Sequence, residues 1–237
     1  MRNLLAACVA GIAGMAISTA AGAVTIGTAE LLACDGGPSC SIAGAPGATI
    51  SATGGDLQAK AGGATNTIGL GVSGGTNGEI DIATEALTIA FDYAQVVDSF
   101  RIVFFYNGPE FADVYEKGTV TANFDDGSSS VFTFGATGAN GVLTWDGFGS
   151  YANSCGSQTA GGSGCFDFTG EPLGSALVTS IVFNAIPGNT VNGGTNQSDY
   201  SFGGLVATPI PGSLLLLLTG IGGLSFASRG RRKVAAA

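Results

Sequence analysis

The chain has 237 residues, with 8 Lys and Arg, 17 Asp and Glu and no His, for a formal net charge of −9 at pH 7. Arg2, Arg229, Arg231, Arg232 and Lys233 lie at the ends, so Lys60, Arg101 and Lys117 alone face the 17 acids and the interior stands at −14. Such a surface repels nucleic acid, and a chain without His lacks the commonest general base, the commonest metal ligand and every Ser-His or Cys-His nucleophile pair.

Arg2 precedes the apolar stretch Leu4 to Ile17, and Ala21-Gly22-Ala23 offers small residues where signal peptidase reads. Residues 1–23 therefore read as a secretory signal peptide, with signal peptidase as the first partner and Val24 as the mature start. From Val24 to Gly78 large apolar residues are few among Gly, Ala, Thr and Ser. This stretch reads as an irregular lead-in with one or two strands, at Ala48–Ala52 and Thr67–Val72. Cys8 leaves with the signal, and Cys34, Cys40, Cys155 and Cys165 enter an oxidising compartment. Four cysteines allow three connectivities, of which the short spacings favour the local pairs Cys34–Cys40 and Cys155–Cys165. Zinc is the rival for these thiols, but the intervals depart from the C-x2-C spacing and no His is present.

The pattern sharpens from Glu79 onward. Leu87, Ile89 and Phe91 alternate with Thr88, Ala90 and Asp92, the period of a half-buried strand. Phe100 to Tyr106 is an almost continuous β-branched and aromatic run suited to a central strand buried on both faces. Thr119–Phe124 and Val131–Phe134 flank Asp125-Asp126-Gly127-Ser128, a hairpin signal because Asp and Gly tolerate the positive φ of a tight turn. Val142–Trp145, Leu177–Ala185 and Tyr200–Ala207 bring the total to about eight strands, with no amphipathic helix among them. Many short strands joined by Gly-rich turns predict an all-β, antiparallel β-sandwich of one domain, residues 24–207.

With His absent, carboxylates are what remains for chemistry. Glu110 and Asp113, with Glu116 close behind, follow the turn Asn107-Gly108-Pro109. A glycosidase needs two carboxylates across a cleft, and nothing in the spacing supplies a cleft, so the expectation is a solvated loop and no enzyme. The same cluster, or Glu79 with Asp81, presents the oxygen ligands that Ca²⁺ takes, making it the one cofactor left open. The single tryptophan, Trp145, sits near Tyr151, Asn153 and Gln158, a grouping able to stack on and hydrogen-bond a sugar ring; the alternative is the edge of a core.

Thr208-Pro209-Ile210-Pro211-Gly212-Ser213 leads into the apolar run Leu214–Ala227, and Arg229, Arg231, Arg232 and Lys233 follow. An apolar run ending in cations reads as a short transmembrane helix with its tail held in the cytoplasm, so the inner membrane is an early partner and residues 24–207 lie outside. This arrangement resembles the PEP-CTERM class of bacterial sorting signals, especially the VPLPA type. Pro209-Ile210-Pro211 matches the P-x-P core, although Ile210 replaces the glutamate of the PEP form and Gly212 stands where the VPLPA form has alanine. The resemblance implies that residues 208–237 are a sorting signal read by an exosortase-type membrane protease. The strand order and the ending Asp199-Tyr200-Ser201-Phe202-Gly203-Gly204-Leu205 also resemble the jelly-roll ectodomains found upstream of such signals. Together these imply a non-enzymatic protein of the cell surface or extracellular polysaccharide matrix; a carbohydrate-binding jelly-roll module is the alternative.

Overall fold

The computed structural model describes residues 22–43, 47–62, 67–81, 84–106, 115–139, 141–155, 163–188 and 198–209. They lie in a compact unit spanning Ala21–Ile210. Among the described residues thirteen strands are joined by antiparallel ladders, so the expected all-β class holds.

The organising element is one long strand. Leu87, Ile89 and Phe91 are buried while their neighbours are not, and the backbone then continues through Asp92-Tyr93-Ala94 into Phe100–Tyr106 without a break, forming β6 (Ala86–Tyr106). No Gly or Pro interrupts this stretch, so the two separate strands expected there are one strand that changes partners. Its first half pairs with β3 (Ala48–Thr53) and β12 (Val178–Ala185). Its second half pairs with β11 (Ser163–Thr169) and β13 (Ser201–Thr208). A strand that feeds two ladders is how a sandwich turns its corner.

From the first half of β6 the ladder runs through β12 to β7 (Lys117–Phe124), β8 (Ser129–Ala136) and β9 (Leu143–Trp145), with β2 (Ser39–Ile42) beyond β3. From the second half it runs through β13 to β5 (Thr67–Val72) and β4 (Leu57–Gly62), with β10 (Ser150–Asn153) beyond β11. β1 (Val24–Ile26) closes on β13. Aromatic rings fill the space between the two ladders: Phe183 contacts Phe100 and Phe202, and Phe134 contacts Phe105 and Tyr200, with centroids 5.0–5.7 Å apart. The arrangement is sandwich-like. Each such ring, removed from water on folding, contributes roughly 1.5–3 kcal/mol.

The run Phe100–Tyr106 is buried on both faces because it bulges. Ile102 pairs with Phe166 and Phe105 with Gly164, so Val103 and Phe104 together oppose Cys165, and Phe104 takes φ +54°. The extra residue flips the alternation. Ile102 and Phe105 face the main core, whereas Val103 and Phe104 form a satellite cluster with Cys165 on the outer face.

The lead-in holds more order than expected: β1 to β5 and one short helix, α1 (Thr28–Ala33), lie before Gly78. α1 buries Leu31, and Glu30 Oε2 accepts from the Gly27 amide at its start. The strands expected at Ala48–Ala52 and Thr67–Val72 are β3 and β5, whereas β1, β2 and β4 were not expected; β5 packs closely on its neighbours. A Cβ at Gly69 would stand 2.4 Å from the Ser201 Cβ, and one at Gly71 would stand 2.4 Å from the Gly78 backbone. The expected hairpin is present: the Phe124 amide donates to Ser128 O at 2.9 Å, and Gly127 takes φ +83°.

Candidate functional site: a buried carboxylate cluster

The turn between β5 and β6 is Gly-rich, Ser73-Gly74-Gly75-Thr76-Asn77-Gly78, and has no large side chain to pack. Carboxylates organise it instead. Glu85 accepts from the Gly75 amide at 2.8 Å and from the Asp81 amide at 2.9 Å, and Asp81 accepts from the Thr76 amide. A Cβ at Gly74 would fall 1.5 Å from Glu85 Oε1 and one at Gly75 would fall 2.0 Å from Asp81 Oδ2, so these positions leave room for the carboxylates. Thr76 Oγ1 donates to Asp199 Oδ2 at 3.1 Å, and Ser201 Oγ donates to Gly78 O at 2.6 Å, which fastens the turn to the start of β13.

Three acids converge beneath it. Glu79 is 1% exposed, Glu116 0% and Asp199 8%. Lys60 Nζ reaches Glu79 Oε1 at 2.7 Å from β4, and its ammonium also stands 5.1 Å from the Phe104 ring centroid. Glu116 Oε2 accepts from the Tyr106 amide at the end of β6. Burial, followed by the Asp199 charge, pushes the Glu79 carboxyl up to about 8 despite Lys60. Burial, Asp199 and a hydrogen bond with it hold Glu116 well above the carboxylate range. Burying a carboxylate without a counter-charge costs several kcal/mol, so such groups keep their protons. Burial thus favours the protonated form of Glu116, and the cluster stitches β4, the turn, β6, β7 and β13 together. Among the described residues no group of three Asp, Glu or Cys side chains is placed to hold a metal ion.

Of the acids singled out from sequence, Glu110 and Asp113 lie outside the described residues. Glu116 faces Tyr106 and Asp199, while Glu79 and Asp81 share the turn but are committed to Lys60 and the Thr76 amide. Sequence reading missed Lys60, Glu85 and Asp199. The one available signal was scarcity, since Lys60 is among only three cations of the interior.

Trp145 lies at the edge of the core. Its ring meets Phe168 at 4.8 Å and Phe100 at 5.9 Å, and Nε1 donates to Phe148 O at 2.9 Å. Nearby Tyr151 Oη donates to Leu143 O, the exposed ring in this region is Phe148, and Gln158 falls outside the described residues. Cys34 with Cys40 and Cys155 with Cys165 stand at disulfide distance, with Cα separations of 5.3 and 5.1 Å, the local pairing favoured by spacing. Thr67 Oγ1 lies 3.5 Å from Cys155 Sγ, which brings that pair against β5.

At the ends, Val24 is the buried first residue of β1, and Pro209 follows directly on β13. Ala21, Ile210, Pro211, Arg229, Arg231, Arg232 and Lys233 lie outside the described residues. Among the described residues no helix is long and apolar enough to cross a membrane; the expected helix at Leu214–Ala227 falls beyond them. No family model, curated protein or solved structure matches this chain.

Proposed function

We propose that this chain is an exported bacterial protein of the cell surface or extracellular matrix, non-enzymatic, made as a membrane-anchored precursor and processed at a C-terminal sorting signal. Its jelly-roll-like domain is residues 24–207, between a signal peptide and the sorting segment 208–237.

The observation that carries the reading is the fit between the fold and the two processing points. Among the described residues strand pairing begins at Val24, the residue expected to follow signal peptidase, and ends at Thr208, next to Pro209-Ile210-Pro211. Val24 pairs with Ala207, so in an antiparallel ladder the start of β1 and the end of β13 emerge at the same end of the domain. Both cuts would then leave the sheet intact. Two cysteine pairs at disulfide distance are in keeping with an oxidising compartment. The surface charge agrees with a soluble fate after release, since a domain this acidic is repelled by anionic lipid.

Intact-mass measurement of the protein recovered from its native host tests this. The expected species begins at Val24 and ends between Thr208 and Gly212. Recovery of a chain that retains residues 1–23, or one that retains the basic tail in every fraction, would refute the proposal.

A further inference from the structure

A second polar site lies on the outer face of the ladder formed by β11, β6, β13 and β1, away from the carboxylate cluster. It is an open groove of about 370 Å³ lined by Ser99, Arg101, Asp167, Thr169, Gly203 and Gly204 among others. That volume falls at the low end of the ~300–1,000 Å³ range of small-molecule sites. β13 bulges here, with Phe202 opposite Ile102 and Gly204 opposite Arg101, leaving Gly203 as the extra residue. The bulge and the glycines create the space: a Cβ at Gly203 would stand 3.0 Å from Arg101 Cγ, and Gly204 takes φ +141° against Ile26 O.

Arg101 is the sole arginine between the two terminal segments. Its Nε lies 3.4 Å from Asp167 Oδ1, and its Nη2 donates to Ser154 Oγ at 3.1 Å. The two side chains are 38% and 37% exposed, so they are fixed by each other yet open to solvent. An exposed pair of this kind contributes about 0–1 kcal/mol to stability, which makes the fold a poor reason for it.

We infer that this groove binds a neutral saccharide, with Asp167 accepting from one ring hydroxyl and Arg101 donating to its neighbour. The charge balance selects that ligand class. Arg101 and Asp167 are the charged side chains lining the groove and cancel, while the surrounding interior stands at −14, so a uronate or sulfated sugar would be repelled. Ser99 and Thr169 add hydroxyls, and the half-buried Val206 adds an apolar contact for the C–H face of a ring. The inference does not depend on C-terminal processing.

The test uses the full chain in lauryldimethylamine oxide, a detergent without a sugar head group, titrated calorimetrically with neutral gluco-, manno- and galacto-oligosaccharides and with oligouronates. At least one neutral series should bind, at least tenfold tighter than any uronate. Arg101→Gln and Asp167→Asn should each weaken binding tenfold or more, and Trp145→Phe should leave it unchanged. Should a variant fail to fold, a diazirine-bearing form of the bound neutral sugar, cross-linked to the unaltered chain, should mark peptides containing residues 99–101, 167–169 or 203–206. No heat with any neutral series at about 10 mM, where a Kd of ~1 mM would nearly saturate the site, would overturn the inference. So would preference for uronates, binding indifferent to both substitutions, or cross-links elsewhere.

Discussion

Val24 and Ala207 are opposite each other in the β1·β13 ladder, both buried, although their numbers differ by 183. Both positions are thus part of the sheet. The strand Val24–Ile26 should behave as an integral element. Deleting residues 24–26 removes Val24 and Ile26 from the core and should lower stability by about 3–5 kcal/mol. Removing residues 1–23 should leave the melting temperature of the domain within a degree or two of the full chain; thermal unfolding followed by circular dichroism compares them.

Stability should fall as pH rises from mildly acid to mildly alkaline. A carboxyl whose folded pKa exceeds its ordinary value keeps a proton in the fold that the unfolded chain has already released. The folded state then binds more protons between pH 4.5 and about 8, the window set by Glu79, and stability declines through that window as pH increases. Glu116, also raised by burial, adds to the decline in the same direction. Asp126, held below the usual range by Ser128, acts only at more acid pH. The expected loss between pH 5 and pH 9 is on the order of a few kcal/mol, read from urea unfolding midpoints. A flat or rising profile would remove the account of the cluster.

Glu116→Gln isolates the proton on that side chain. A glutamine can accept from the Tyr106 amide through its oxygen, as the acid does, but it never ionises. The variant should match the parent near pH 5 and exceed it above pH 8. Glu116→Ala leaves Asp199 and the Tyr106 amide without that partner and should cost about 2–4 kcal/mol at every pH. Denaturant titrations at both pH values separate the two.

The cysteines should resist alkylation in the absence of reductant. Closing loops of 6 and 10 residues contributes about 2–3 kcal/mol each in the chain-entropy model. Peptide mass mapping should therefore recover Cys34 linked to Cys40 and Cys155 linked to Cys165. Cys155→Ser with Cys165→Ser should lower stability while leaving the Cys34–Cys40 link in place.

Much of this architecture could be read along the chain where large apolar residues mark a face. Leu87, Ile89 and Phe91, the turn Asp125–Ser128 and the pairs of nearby cysteines carry their signals locally. β1, β2, β4, β10 and β11 were overlooked, because each is short or carries few large apolar side chains, as in Val24-Thr25-Ile26 and Ser150-Tyr151-Ala152-Asn153. The parity flip at Val103–Phe104 is invisible in a run where every residue is apolar. The carboxylate cluster is assembled across long separations, with Thr76 and Asp199 lying 123 residues apart, and no spacing rule reaches that far. Glu79 with Asp81 looked like metal chemistry; Lys60 beside one and the Thr76 amide beside the other give them structural partners.

We propose that Pro209-Ile210-Pro211 is read by a processing enzyme and is more than the entrance to an anchor. A plain stop-transfer segment needs hydrophobicity and flanking cations, so Pro209→Ala with Pro211→Ala should leave such an anchor unaffected. An enzyme that reads the extended backbone imposed by two prolines should lose its substrate, since Ile210 and Thr208 would be free to turn helical. The decisive measurement is the intact mass of parent and double variant from membrane and released fractions of the native host. The account predicts a parent that ends between Thr208 and Gly212 and a variant retained in the membrane with Lys233 and Ala237 still attached. Parent and variant both recovered from the membrane with their C-terminal residues intact would contradict it and identify a simple anchor.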